Sequence, residues 1–334
     1  MDYRSLGRTG VKVSPLCLGT MMFGGKTTPN DSYDIIDAAI EAGINFVDTA
    51  NVYSRGESEK VTGEALKRNR KRAGIVLATK VHGKMDDDDP NAQGNTRRHI
   101  IEQCEASLTR LQTDYIDLYQ IHRPQSDVPI DETLPAMDDL IRSGKVRYIG
   151  TSTFAAWQAV ESLWVAEKLG LNRFVCEQPP YHILDRRVER SLIPMAITYG
   201  YGIIPWSPLA GGLLTGKYKR GEGSSNDGRF ADAERGPGKR FNDSVYDVSE
   251  ALEAIVSGKG CTVSQFALAW VAGQPGVTSP IIGPRTMEQL VDNLGALDVD
   301  VNEADKNRVD ELVPPGEMRS AYYQADFGPH EFRV

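Results

Sequence analysis

The sequence predicts an α/β chain closed into a single (β/α)8 barrel, with an N-terminal β-hairpin and long loops on one rim. Three observations predict it. Strand-like apolar runs alternate with amphipathic stretches eight times after the hairpin, which calls for a parallel sheet. The mean repeat of roughly 40 residues suits a βα crossover, which needs a dozen or more. No Gly-x-Gly-x-x-Gly follows any strand, as a doubly wound dinucleotide-binding sheet would be expected to show, so a closed sheet is favoured over an open one. One domain spanning residues 1–334 follows, since α/β barrels run to this length undivided.

The elements come in order. Tyr3 to Leu6 and Lys12 to Ser14 flank Gly7-Arg8-Thr9-Gly10, a hairpin signal. Leu16 to Gly19 is a first buried strand. Asp31 is a candidate cap for a helix with Ile35, Ile36, Ala39 and Ile40 on one face, stopped by Gly43. Ile44 to Val47 is the next strand and stops at Asp48; the loop after it carries Tyr53 and Gly56, and 57–68 reads as a helix. Strand 75–79 ends in Lys80. Thr96 caps a helix whose face is Ile100, Ile101, Cys104, Leu108 and Leu111, and strand 115–121 ends in His122. Helix 132–143, strand 146–150, helix 155–169, strand 174–178, helix 188–199 and strand 202–206 continue the rhythm. Helices 248–257 and 264–273, strand 279–282 and helix 286–294 complete it.

Two segments stand outside this pattern. Residues 219–245 are rich in glycine and charge and read either as a disordered insert or as a lid on the catalytic rim. Residues 319–334, with Tyr322, Tyr323, Phe327 and Phe332, are more aromatic than a solvated tail; they would cap a substrate pocket or dock on a partner.

Composition narrows the function classes. The chain is 40% apolar and 25% charged, ordinary for a globular protein. Its 38 basic and 46 acidic residues give a net charge of −8, and no basic block stands out, which argues against nucleic acid as a partner. The N-terminus lacks a secretory apolar region and no run is long enough for a membrane span, so a cytoplasmic protein is expected. Cys17, Cys104, Cys176 and Cys261 are scattered without a CxxC pair, as expected of reduced, mostly buried thiols. Asp86 to Asp89 read as a solvated loop rather than a cation cage, and no metal is expected. Gly211 to Tyr218 nearly spells a P-loop, but Tyr218 stands where the magnesium-binding Ser or Thr is needed.

Chemistry concentrates at three consecutive strand ends, which carry Asp48, Lys80 and His122, with Tyr53 in the adjoining loop. Polar residues at the C-terminal ends of barrel strands face the active site. A buried carboxylate is costly without a cationic partner, and Lys80 supplies one for Asp48. A phenol, with a reference pKa of about 10, is a poor proton donor at neutral pH, and a neighbouring ammonium favours its phenolate. His122 would orient a substrate oxygen. The group reads as a general acid with an electrostatic tuner, suited to protonating an oxygen as it becomes an alkoxide. Each residue alone has a structural alternative: a satisfied histidine, a plain salt bridge, a packing tyrosine. At the eighth strand, Ile282-Gly283-Pro284-Arg285 opens a helix whose free N–H groups and dipole favour an anion, and Arg285 adds a fork suited to a phosphate monoester.

These residues also carry a resemblance. Gly43 to Tyr53, Thr79-Lys80, Gln120-Ile121-His122, Gly150 to Phe154, Trp206 to Lys217 and Ile282 to Arg285 resemble the aldo-keto reductase superfamily, in a match running from the hairpin to about residue 294. Leu18 to Gly25 and Ser207 to Gly212 resemble the branch holding bacterial reductases and potassium-channel β subunits. The resemblance implies a barrel that reduces small-molecule aldehydes or ketones with NADPH, leaving NADP+. It places Asp48, Tyr53, Lys80 and His122 on the catalytic tetrad, with Tyr53 as proton donor. It implies cofactor contacts from Gly19, Thr20, Met21 and Asp48 near the nicotinamide, from Ser152 and Gln178 at the carboxamide, and from Trp206 by stacking. Ser207, Leu209, Gly211 and Lys217 would serve the pyrophosphate, and Gly283, Arg285, Gln289 and Asn293 the adenosine phosphate. Thr153 departs from the pattern: many members carry asparagine there, whose longer amide contacts the carboxamide. The same resemblance carries a second reading, a cofactor-binding redox sensor or regulatory module like the channel β subunits, with slow turnover. A barrel hydrolase has little support, since no paired catalytic carboxylates or nucleophile elbow are evident.

Overall fold

A computed structural model of the chain describes residues 1–220 and 242–320. Strands β1 (Arg4–Ser5) and β2 (Lys12–Val13) form the antiparallel hairpin, paired Arg4 to Val13. The barrel strands are β3 (Cys17–Gly19), β4 (Phe46–Asp48), β5 (Val76–Val81), β6 (Ile116–Ile121), β7 (Val146–Ser152), β8 (Cys176–Gln178), β9 (Gly202–Ile203) and β10 (Ile281–Ile282). All are parallel and pair in sequence order, with β10 returning beside β3. Closure continues past the short last ladders: Thr278 N–H donates to Ile203 O at 2.7 Å and Ile281 N–H to Pro205 O at 2.8 Å. The predicted barrel and hairpin are both present.

Ten helices are described: α1 (Pro29–Glu41), α2 (Glu57–Arg68), α3 (Arg97–Leu111), α4 (Ile130–Arg142), α5 (Ala156–Leu169), α6 (Leu192–Tyr199), α7 (Asp243–Val256), α8 (Val263–Ala272), α9 (Met287–Leu294) and α10 (Glu303–Leu312). Local chemistry moves some boundaries. Thr28, not Asp31, caps α1: its hydroxyl accepts the Asp31 N–H at 3.3 Å, and Pro29 takes the first helical position, where its missing N–H costs nothing. The helix expected over 188–199 divides into a 3-10 turn at Arg187–Arg190 and α6, because Ser191 between them has φ −143°. Helix α10 was not expected; it is mostly polar, buries Asp305 and Val309, and starts on a reciprocal capping box between Asn302 and Asp305. The segments read as an insert or lid and as an aromatic tail fall largely on 221–241 and 321–334, outside the described residues.

Two apolar layers set the site's position. One lies between helices and sheet. The other fills the barrel floor with Cys17, Phe46, Ala78, Leu118, Cys176 and Ile204, sealed by Leu6 and Val13 of the hairpin. The Arg8 N–H donating to Gly200 O at 2.9 Å ties the hairpin across the N-terminal mouth. With the floor closed by apolar side chains, the polar residues of the strands converge at the C-terminal end.

Candidate active site

Strand register aligns the polar layer. Gly19 lies beside Asp48, Lys80 beside Gln120, and Ser152 beside Gln178. Asp48 is buried at the end of β4, and both of its oxygens are satisfied. Lys80 donates to Oδ1, while the amides of Gln120 and Gln178 each donate to Oδ2 at 3.0 Å. The Lys80 ammonium also donates to Thr49 O at 2.8 Å and to the Tyr53 hydroxyl at 3.2 Å. Burial works against this ammonium, but Asp48 and the Tyr53 hydroxyl more than offset it, and its pKa is raised. Lys80 therefore stays charged at neutral pH.

His122 follows β6 directly, and its ring meets Tyr53 edge-on, with centroids 5.7 Å apart at 82°. Burial, then the charges of Lys80 and Arg123 and the neighbouring His82, hold its pKa well below the ordinary 6.5. The imidazole is neutral at pH 7, so it offers one N–H donor and no charge. Tyr53, Lys80 and His122 thus share one corner, with Asp48 behind the lysine.

Asp48, Tyr53 and His122 open onto a cavity of about 810 Å³ that runs from the barrel mouth to the start of α9. Gly19, Met21, Ser152, Gln178, Trp206, Ser207, Leu209, Gly211, Lys217, Gly283, Arg285, Gln289 and Asn293 all line it. Thr20 does not: its buried hydroxyl bonds Ser58 at 2.9 Å, behind the strand. The bareness of Gly19 serves strand packing, since a Cβ there would stand 2.5 Å from Ile281 Cγ2. Ser152 spends its hydroxyl on Gln178 O at 2.9 Å. Thr153 is buried with φ +58°, a left-handed conformation unfavourable for a β-branched residue, and its hydroxyl donates to Ser152 O at 2.7 Å.

The far end of the cavity is cationic. The segment 207–216 turns through positive φ at Ser207, Ala210, Gly211, Gly212 and Gly216. Beyond it, Lys217 faces Arg285: burial first and Arg285 second push the lysine's pKa down. Neither cation forms an ion pair among the described residues. Asp292, also in the lining, accepts from Thr262 at 2.9 Å instead. Gln289 accepts the Arg285 N–H at 2.8 Å and so fixes the loop that carries the guanidinium. Two cations without an ion pair among the described residues, with Arg285 just ahead of α9, make this end of the cavity suited to an anion.

Sequence reasoning missed Gln120 and Arg123. Gln120 was visible only as a neighbour of His122, although its place in the strand puts it on the inner face beside Lys80. Arg123 lines the cavity, donates to His122 O at 2.8 Å and Thr153 Oγ1 at 3.3 Å, and lies 5.9 Å over the Trp206 ring. The acidic loop is paired: Asp87 with Arg55 at 3.1 Å and Asp89 with Arg98 at 3.4 Å. No cluster of His, Cys, Asp or Glu suited to a metal occurs among the described residues.

Comparison with known proteins gives consistent results. The family model for the aldo/keto reductase family matches residues 15–314. The chain is 39% identical to "Uncharacterized oxidoreductase YrpG" of Bacillus subtilis (strain 168), over 96% of this chain and 99% of that protein. It is 38% identical to a "Probable voltage-gated potassium channel subunit beta" of Oryza sativa subsp. japonica, over 90% of this chain and 92% of the relative. A protein of the same name from Arabidopsis thaliana is 37% identical, with the same coverage.

Proposed function

The chain belongs to the aldo/keto reductase family, and from that premise we propose that it is an NADPH-dependent reductase of small aldehydes or ketones, with Tyr53 as proton donor. Membership makes it an oxidoreductase; the cofactor, donor and substrate class are our reading. One observation carries it: the Tyr53 hydroxyl, 3.2 Å from an ammonium locked to Asp48, opens onto the cavity that ends at Lys217 and Arg285.

The residues present fit a phosphorylated dinucleotide. Lys217 and Arg285 repel each other across the cavity, and an anion between them would relieve that repulsion. Gly211 and Gly212, with φ +68° and +109°, keep the wall beside them free of side chains. Gln178, Ser152 and Asp48 would hold the nicotinamide end, and Trp206 would stack on its face. When bound, the reduced nicotinamide supplies the hydride.

The chain's own residues do the rest. His122, neutral, donates its N–H to the carbonyl oxygen and fixes its direction. Tyr53 passes its hydroxyl proton to that oxygen as negative charge develops there. Lys80 stabilises the phenolate left behind, and Asp48 holds Lys80 in line. The apolar side chains of the floor close the barrel from below. Carbonyl, hydride and proton make the alcohol.

A second reading is favoured by the names of two relatives: a redox-sensing or regulatory module that binds the same cofactor and turns over slowly. Loss of NADPH absorbance over a panel of aldehydes and ketones, run with NADPH and NADH, separates the two. Steady turnover of at least one carbonyl compound supports the reductase; binding of NADPH without turnover across the panel favours the module.

A further inference from the structure

Tyr53 sits at the start of an unusual piece of backbone. Ser54, Arg55 and Gly56, with φ of +48°, +53° and +94°, are three consecutive left-handed residues, two of them with side chains. L-residues avoid this conformation, and it persists only where the surroundings over-determine it. Within the turn, Tyr53 N–H donates to Ala50 O at 3.2 Å, Arg55 N–H to Val52 O at 3.0 Å, and Glu57 N–H to the carbonyls of Tyr53 and Ser54. A further restraint comes from behind.

Glu59, fully buried in the first turn of α2, accepts Arg110 Nε at 2.6 Å and Thr79 Oγ1 at 2.5 Å. Thr79 immediately precedes Lys80 on β5. Arg110, near the end of α3, presses its stem on the turn: a Cβ at Gly56 would stand 2.8 Å from Arg110 Cδ. The Arg110 guanidinium also donates to Ser107 Oγ at 3.2 Å and Gln103 Oε1 at 3.5 Å. Gln103 in turn accepts from Asn51 Nδ2 at 3.3 Å, and Asn51 N–H donates to Lys80 O at 3.1 Å. One closed circuit therefore joins the loop before Tyr53, the turn after it and the strand that carries Lys80.

We propose that Glu59 and Arg110 are positioning residues, which hold the Tyr53 turn against β5 so that the hydroxyl stays in reach of Lys80. Neither touches the cavity. The assignment rests on the reading of Tyr53 as proton donor and adds what fixes its place. A buried carboxylate bonded to both the turn's clamp and the lysine's strand transmits a fixed spacing between them. A plain ion pair between α2 and α3 would need neither Thr79 nor the bare Gly56.

The test is Glu59→Gln, which keeps volume but removes the charge and leaves one acceptor oxygen for the two donors Arg110 and Thr79, with Thr79→Val as a milder variant that leaves the ion pair intact. A misplacement near 1 Å costs up to about a hundredfold in rate, so kcat of Glu59→Gln should fall about 10- to 100-fold. NADPH Kd and substrate KM should stay within about twofold, because the cavity wall is untouched. Thr79→Val should show the same split with a smaller loss. Assays run well below each variant's melting midpoint keep stability out of kcat. A lowered midpoint with wild-type kcat in both variants overturns the proposal and leaves the pair a structural one. Should Glu59→Gln not fold, Thr79→Val decides alone by the same split. Tyr53→Phe is assayed in parallel: if it keeps full activity, the proton-donor reading itself has failed, whereas an inactive Tyr53→Phe beside a fully active Glu59→Gln sinks this inference only.

Discussion

Replacing Arg285 with alanine tests how the cavity reads its ligand. The guanidinium lies at the start of α9, at the opposite end of the cavity from Tyr53, and has no ion pair among the described residues. Asp292, which lines the same cavity, accepts a hydrogen bond from Thr262. A charge-assisted contact to a phosphate monoester is worth on the order of 1.5 to 3 kcal/mol. At about 1.4 kcal/mol per decade, Arg285→Ala should weaken NADPH binding roughly 10- to 150-fold. NADH, which lacks the 2′-phosphate, should bind nearly as before, and the maximal rate at saturating NADPH should survive. The variant also removes one cause of the depressed Lys217 pKa, so that pKa should move back toward its ordinary value. Quenching of tryptophan fluorescence on titration with each reduced nicotinamide measures both affinities, with Trp206 as the reporter inside the cavity. Equal losses for NADPH and NADH would refute the phosphate-reading role.

Other perturbations have equally definite outcomes. Lys80→Met leaves Asp48 buried without its cation, so turnover should collapse and chemical denaturation should show a loss of about 3–5 kcal/mol; retained stability would mean the pair matters less than its burial suggests. His182 is fully buried, and burial, with Arg187 and against Asp185, lowers its pKa from 6.5 to about 4. Its unfolded form takes up the proton first, so its contribution to stability is complete above pH 6.5 and is lost as pH falls toward about 4, by on the order of 3 kcal/mol. Urea titrations between those pH values should show this slope, and His182→Gln should flatten it. Thr153→Asn should stabilise the fold by about 1 kcal/mol, because asparagine tolerates φ +58° where threonine does not, and a thermal melt reads the gain.

What the sequence made legible follows from what physics acts locally. Helix α2 spans 57–68 as its pattern indicates, because charge at both ends and an apolar stripe act within the segment. Asp48, Lys80 and His122 could be read because strand ends in a parallel barrel share one rim. Gln120 could not be read: its role depends on facing Asp48 across β5, a relation of register rather than of neighbours. The left-handed Ser54 and Arg55 carry no signal of their own, since Glu59 and Arg110 hold them from other elements. Helix α10 escaped because its apolar face is short, little more than Val309 and Leu312 in its last turns, with Asp305 buried through its cap. The cap of α1 was misplaced by three residues because both Thr28 and Asp31 have the right chemistry; Pro29 decides between them.

The central claim is that Tyr53 gives the proton while Lys80 stabilises the oxygen it leaves. Tyr53→Phe keeps the ring against His122 and removes only the hydroxyl that faces Lys80. Single-turnover oxidation of enzyme-bound NADPH by an aldehyde isolates the chemical step from product release. The account predicts a rate roughly two to four orders of magnitude below wild type, with the NADPH dissociation constant little changed. A wild-type rate in Tyr53→Phe would contradict it.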